Sequence, residues 1–172
     1  QRTVRNAFGS FENLQTVELG CGLGKVSILF SILGSNPLLV DYSEKQLVGA
    51  RSVHDQFEVN SKIIEGNILD IPEKMVGQFD VSMSFGTAEH FWGEDRQSVF
   101  DSHAEVLKPG GLTIIWIPNK YGFLFHIGRS GRMLLRRPVS PVDEDSFTRK
   151  ELQRRAMEAG LTDVQIEGGE SL

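Results

Sequence analysis

A chain of 172 residues with a formal net charge of −5 is long enough to bury a sheet between two layers of helices, and its acidity argues against a dedicated nucleic-acid binder. Hydrophobic content of 40% and charged content of 24% are ordinary for a globular chain, and no apolar run approaches the roughly 20 residues of a membrane-spanning helix. The single cysteine, Cys21, excludes an internal disulfide and makes a reducing cytoplasm the expected compartment, while Gln1 to Ser10 lacks the apolar core of a signal peptide.

Along the chain, strand and helix patterns alternate. Thr16 to Leu19 is a short apolar run ending at Gly20, which predicts a first strand. Val26, Leu29, Phe30 and Leu33 then recur on one helix face, Gly34 to Pro37 reads as a turn, and Leu38 to Tyr42 predicts a second strand. Ser43 with Gln46 is a capping box opening a helix that carries Leu47, Ala50, His54 and Phe57. Lys62 to Glu65 and Asp80 to Phe85 predict two more strands, and Glu94 to Leu107 a helix. Lys108-Pro109-Gly110-Gly111 ends that helix, and Leu112 to Ile117 is a fifth strand. Thr148 with Glu151 opens a helix that stops at Gly160, and Asp163 to Glu167 predicts a last strand. The absence of an initiator Met, with a first strand so close to the start, suggests a piece of something longer.

This order implies a single α/β domain over 1–172: a mostly parallel sheet with helices on both faces and ligands bound beyond the strands' carboxyl ends, where strand order reverses. The loops after the strands are therefore the ones to read. The stretch 119–147 breaks the short-loop rule and is expected to be a lid or substrate-covering insertion. Within it, Phe123 to Arg137 mixes apolar residues with Arg129, Arg132, Arg136 and Arg137. An amphipathic cover with its arginines in solvent is favoured there over a surface for an acidic substrate or a membrane.

Glu18-Leu19-Gly20-Cys21-Gly22-Leu23-Gly24 lies between a strand and a helix, where glycines permit a sharp turn and a helix start offers free N–H groups. The dinucleotide fingerprint needs glycine where Lys25 stands, and a P-loop needs Gly and Ser or Thr where Leu19 and Val26 stand; both fail on spacing. What remains, an acid followed by G-x-G-x-G, resembles the first motif of class I S-adenosylmethionine-dependent methyltransferases. Further matches follow in order. Val40-Asp41-Tyr42-Ser43 resembles the family's second motif, with Asp41 standing 21 residues after Gly20. Gly66-Asn67-Ile68, Phe79-Asp80-Val81, Glu89-His90, Val106-Leu107-Lys108-Pro109-Gly110-Gly111 and Phe147 through Leu161 continue it.

The resemblance implies the family's Rossmann-like sheet, S-adenosyl-L-methionine as cofactor, and particular roles. Glu18 with Gly20, Cys21, Gly22 and Gly24 would hold the methionyl part. Asp41 would hold the ribose, with Tyr42 beside it. Asn67 and the main chain at Ile68 would meet adenine, Asp70 being the fallback should Asn67 fail. Phe85 and Gly86 would lie near the methionyl group. The family's sheet also inserts a seventh, antiparallel strand beside the fifth, so residues beyond Leu172, or a partner, are expected to complete that edge.

Other residues carry less. His90 stands where the family sometimes keeps a general base, and imidazole takes a proton near neutral pH, against the plainer reading of a packing loop histidine. His54 and His103 fall on apolar helix faces, Asp80 reads as a structural acid, and Trp116 as a core residue. Phe91 and Trp92 can line a substrate pocket. The histidines show no metal-ligand spacing, so no metal is expected. No Asn/Asp-Pro-Pro-aromatic sequence follows the fourth strand and no Pro-Cys pair occurs, which disfavours methylation of nucleic-acid bases. The expected activity is methyl transfer to an O, N or C nucleophile of a small molecule, a lipid or natural-product precursor among the options, by in-line displacement. The rival is a silent cofactor-binding or protein-interaction module of the same fold. A serine hydrolase is set aside because Gly128-Arg129-Ser130-Gly131-Arg132 lacks the final glycine of a nucleophile elbow.

Overall fold

Among the described residues, five runs rich in Val, Ile, Leu and Phe supply five strands, and all of these pair in parallel. The structure, a computed structural model, describes residues 2–117 and 147–168. Within them the chain forms α1 (Arg2–Phe8), β1 (Gln15–Leu19), α2 (Lys25–Ile32), β2 (Asn36–Asp41), α3 (Glu44–Gln56), β3 (Lys62–Glu65), β4 (Phe79–Phe85), α4 (Gly93–Glu105), β5 (Leu107–Trp116) and α5 (Arg149–Glu158). The strand order is β3-β2-β1-β4-β5, so the path turns one way from β1 to β3 and the other way from β4 to β5. The reversal falls between β1 and β4, whose pairing sets Glu18 opposite Met83. The expected insertion at 119–147 and the stretch Phe123 to Arg137 lie outside the described residues, apart from Phe147.

Both faces of the sheet are covered, as the apolar character of its strands requires. Val17, Leu19 and Val40 pack with Val99 and Phe100 of α4 and Ala156 of α5. Val81 and Met83 of β4 face the other way and meet Val4 of α1 and Phe30 of α2. Leu39 packs on Leu47 and Ala50 of α3. Full burial of a side chain such as Leu39 or Met83 stabilises by roughly 1.5–3 kcal/mol.

Local chemistry sets the helix ends. Ser43 Oγ accepts from Gln46 N–H at 3.4 Å, and Thr148 Oγ1 from Glu151 N–H at 3.1 Å, so both capping serine/threonine residues do what their spacing predicts. Neither box closes reciprocally. Glu151 instead spends Oε1 on Arg96 and Arg155, and the Arg96 guanidinium lies 4.0 Å from the ring centroid of Phe147 and donates to Phe91 O. One buried arginine thus ties α4 to α5 and to Phe147.

The structure departs from the sequence reading in five places. Residues 2–8 form α1, which was not expected. Asn36 and Pro37 belong to β2 rather than to a turn. Lys108 to Gly111 do not separate helix from strand: the ladder pairs Phe79 with Leu107 and then Val81 with Leu112, so these four residues bulge out within β5. Trp116, expected in the core, is 48% exposed at the end of β5. Residues 163–167 form no strand; among the described residues no strand lies beside them, and an extended segment without a neighbour has nowhere to send its ladder hydrogen bonds. Arg149 donates to Ile166 O in that stretch instead.

Among the described residues two histidines are internal. His103 is fully buried beneath β4, with Nδ1 2.8 Å from Ser82 Oγ and Nε2 3.0 Å from Ser84 Oγ. Ser82 Oγ also lies 3.0 Å from His103 O, so both ring nitrogens and the backbone of this histidine are held by the serines of β4. Burial holds this imidazole neutral, its pKa pushed down to about 3.

Candidate functional site

Strand order reverses between β1 and β4, and in an open parallel sheet the ligand crevice belongs beyond the carboxyl ends there, between the glycine loop on one side and residues 85–90 on the other. From the β2 side the loop is held by backbone and by one carboxylate. Gly20 N–H and Cys21 N–H both donate to Val40 O, at 2.9 and 3.0 Å. Asp41 Oδ2 accepts from Gly22 N–H at 2.8 Å, while Oδ1 accepts from Ser43 N–H at 2.9 Å. Asp41 is 6% exposed at the carboxyl end of β2.

The three glycines share a left-handed backbone but differ in their surroundings. A Cβ on Gly20 would meet Thr87 Cγ2 at 2.4 Å, and one on Gly24 would meet Leu39 Cδ2 at 2.1 Å and His54 Nε2 at 2.8 Å. Those two positions are filled by the protein itself. At Gly22, φ is +53° and nothing lies within 4 Å of where a Cβ would stand. The middle glycine is the one whose bare backbone faces open space. That is the kind of cradle in which a ligand can approach the main chain.

Glu18 is turned elsewhere. It is 3% exposed, and its Oε2 accepts from Ser27 N–H at 3.2 Å and from the Ser27 hydroxyl, fastening the first turn of α2 to β1. These bonds let Glu18 position the start of α2 and with it the glycine loop; they engage Oε2 alone and do not bear on the hold on a methionyl group expected of Glu18. Burial outweighs the Ser27 bonds and pushes the Glu18 pKa up to about 7. The folded state binds the extra proton between about pH 4.5 and 7, so Glu18 favours folding below 4.5 and that contribution is lost as pH rises to 7. Glu18→Gln, which cannot ionise, is therefore expected to gain stability relative to the native chain by about 1.4 kcal/mol per pH unit across that window. Urea unfolding of both proteins at several pH values measures the difference; a constant offset would show that Glu18 keeps an ordinary pKa.

Cys21 is buried against Leu39, Leu47 and Ala50, and burial with the nearby charges of Asp41 and Glu18 pushes its thiol upward, which leaves it a small packing residue. Tyr42 is 79% exposed beside Asp41. Asn67 is exposed, and its Oδ1 accepts from Leu69 N–H at 3.0 Å, a local turn that holds the loop after β3. Ile68 is buried and its carbonyl accepts from Ser102 Oγ at 2.5 Å. Asp70 is exposed. Phe85 packs on the cluster under α1 and α2, and Gly86 N–H donates to Trp116 O at 3.0 Å. His90 lies on a 3₁₀ turn over Ala88–His90; its Nδ1 is buried and meets no hydrogen-bond partner among the described residues. Trp92 is 48% exposed, and Phe91 packs on the larger core cluster.

Two contributors to the crevice escaped the sequence reading. Ser27 is an unremarkable helix residue until Glu18 is seen beneath it. Thr87 is 7% exposed and donates through Oγ1 to Gly20 O at 3.1 Å, across 67 residues of sequence. No local pattern signals either contact. Two open grooves lie elsewhere on the described surface: one of about 290 Å³ runs between α2 and α3, lined by Leu29, Ile32 and Phe57 among others, and another lies along α5.

Comparison with known proteins bears on this arrangement. A family described as a methyltransferase domain matches residues 17–111, from β1 through the bulge of β5. A ubiquinone biosynthesis O-methyltransferase of Bordetella pertussis is 27% identical over 172 residues, covering 97% of this chain and 70% of that protein. Among solved structures, a protein of Pyrococcus horikoshii superposes with a TM-score of 0.66 at 23% identity, over 78% of this chain and 58% of that one. The magnesium protoporphyrin IX methyltransferase of Synechocystis, with bound SAH, superposes with a TM-score of 0.71 at 15% identity, over 92% and 68%. The chain thus spans between about three-fifths and seven-tenths of these proteins' own lengths.

Proposed function

The chain belongs to the class I S-adenosylmethionine-dependent methyltransferases, and on that footing we propose that it transfers a methyl group from S-adenosyl-L-methionine to a hydroxyl oxygen of a small ring-bearing acceptor. The observation that carries the reading is the open backbone at Gly22, pinned by Asp41 at the reversal of strand order. The oxygen acceptor is supported by the relatives named O-methyltransferases of ubiquinone biosynthesis. A reducing compartment such as the cytoplasm suits the lone buried thiol of Cys21.

The residues present fit the cofactor. Each Asp41 oxygen spends one lone pair on a backbone N–H and retains another, enough to accept from two ribose hydroxyls. Tyr42 offers an exposed ring next to them, and Asn67, with the main chain at Ile68, stands at the end of β3 where an adenine edge would lie. The open face at Gly22, with Gly86 across the crevice, would take the methionyl part. Gly20, Gly24, Cys21 and Glu18 shape that surface from beneath, and Phe85 backs it.

When bound, the cofactor supplies a methyl already activated by its sulfonium. The protein's task is then to hold the acceptor oxygen in line and exclude water, which can supply much of the rate. His90, on the turn that follows β4, is assigned the acceptor's proton, since imidazole exchanges a proton near neutral pH. Phe91 and Trp92, which follow it, are assigned the apolar side of the acceptor.

Titration of the purified chain with S-adenosylhomocysteine by calorimetry is expected to give micromolar binding, and incubation with S-adenosylmethionine and a catechol to give its monomethyl ether. No heat at millimolar ligand would refute the proposal. Binding with no transfer to catechol or to other phenols would leave a cofactor-binding module and refute the catalytic part.

A further inference from the structure

We infer that Thr87 is a positioning residue that latches the glycine loop to the turn bearing His90 and so fixes the separation of the crevice's two walls. This rests on the methyl-transfer reading for its purpose, though not for its geometry. Thr87 opens the 3₁₀ turn Ala88–His90, a place where a threonine hydroxyl ordinarily caps its own turn. Here it makes no such cap. The hydroxyl reaches across the reversal point and donates to Gly20 O at 3.1 Å. The methyl rests where a Gly20 side chain would begin, 2.4 Å from the position of that Cβ. The carbonyl of the same residue receives His90 N–H at 3.1 Å, closing the turn.

One residue therefore touches both walls. The glycine loop is tethered to β2 by Val40 O and Asp41, and Thr87 holds it from the β4 side. Because Thr87 is 7% exposed, water is poorly placed to replace the lost hydrogen bond if the hydroxyl is removed. Without that bond the β4 loop and the glycine loop can shift independently. In-line transfer is sensitive to such shifts, since misplacement by an ångström can cost on the order of a hundredfold in rate.

Amide hydrogen exchange on the full, unliganded chain tests the latch. Thr87→Val keeps the side-chain shape and deletes the donor, whereas Thr87→Ser keeps the donor. In the valine protein, exchange at Gly22 and Gly24 and at His90 and Phe91 is expected to speed up together by about fivefold, with β1 amides unchanged. The serine protein should stay within about twofold of the native rates. A general loss of structure would accelerate β1 as well and would not be rescued by serine. Acceleration of one segment only, or of neither, or a serine protein that behaves like valine, would overturn the inference. Should the valine protein fail to fold, Thr87→Ala is read against Thr87→Ser in the same way. A second arm adds S-adenosylhomocysteine. In the native chain it should slow exchange in both segments, and in Thr87→Val in the glycine loop alone; slowing of both in the valine protein would count against the latch. If the native chain binds no S-adenosylhomocysteine, the methyl-transfer reading fails, while the unliganded arm still decides whether Thr87 couples the two walls.

Discussion

Gly24→Ala is expected to destabilise the fold by about 3 kcal/mol and to lower the melting temperature by roughly 6–12 °C. Two costs combine. The backbone at Gly24 is left-handed, with φ of +63°, which charges an alanine roughly 1–2 kcal/mol. Its methyl would also be driven to 2.1 Å from Leu39 Cδ2 and 2.8 Å from His54 Nε2. Neither neighbour can give way readily. Leu39 is fully buried in the middle of β2, and His54 is 2% exposed with Nε2 3.0 Å from Gly24 O. Gly22→Ala is the matched comparison. It carries a similar left-handed backbone, φ +53°, and no steric neighbour, so it should cost about 1 kcal/mol and melt within a few degrees of the native chain. Its methyl, however, would occupy the open face assigned to the cofactor, and S-adenosylhomocysteine affinity should fall by about a hundredfold or more. Thermal melts and calorimetric titration of the two variants read these outcomes separately. Equal melting temperatures would remove the packing account of Gly24, and unchanged affinity in Gly22→Ala would remove Gly22 from the binding surface.

The frame of the fold was written in local chemistry, and so it was legible. Apolar runs broken by Gly and Pro marked the strands, and Ser43 and Thr148 marked helix starts because a side-chain acceptor for a free N–H is a requirement of the turn itself. Elements that depend on distant neighbours were not legible. Helix α1 is only seven residues long and is held by the fully buried Val4 against Phe11, Phe30 and Met83, none of which is adjacent in sequence. Residues 163–167 have strand-like composition, but extended backbone becomes a strand only when another strand accepts its hydrogen bonds. Trp116 looked internal because it ends an apolar run; among the described residues no strand follows β5 in the sheet, a position that no run reveals. The same division holds at the crevice. The glycines and the carboxylate at Asp41 stood out by spacing, whereas the turning of Glu18 toward Ser27 and the reach of Thr87 to Gly20 are products of strand order.

The second large effect is expected at Asp41, where Asp41→Asn should weaken S-adenosylhomocysteine binding by about a hundredfold, nearly as much as Asp41→Ala. The substitution is conservative in shape only. As a carboxylate, Asp41 uses both oxygens as acceptors, one for Gly22 N–H and one for Ser43 N–H. An asparagine presents one oxygen and one NH₂, so one of those two backbone donors would face another donor. If the oxygen stays with Ser43, Gly22 loses its tether and the open backbone of the loop is no longer held in place. If it stays with Gly22, Ser43 N–H is stranded at the start of α3, and the amide nitrogen occupies a position from which a ribose hydroxyl was to be accepted. Either way one acceptor site for the sugar is lost along with one structural bond, each worth roughly 1–1.5 kcal/mol. Those losses multiply to roughly the hundredfold stated. The folded state should survive, because Gly20 and Cys21 keep their bonds to Val40 O and the sheet register is untouched. A melting temperature within several degrees of the native value, together with the loss of binding, is therefore the expected pair. Binding by Asp41→Asn within twofold of the native chain would mean that the carboxylate only braces the loop and that the ribose is held elsewhere.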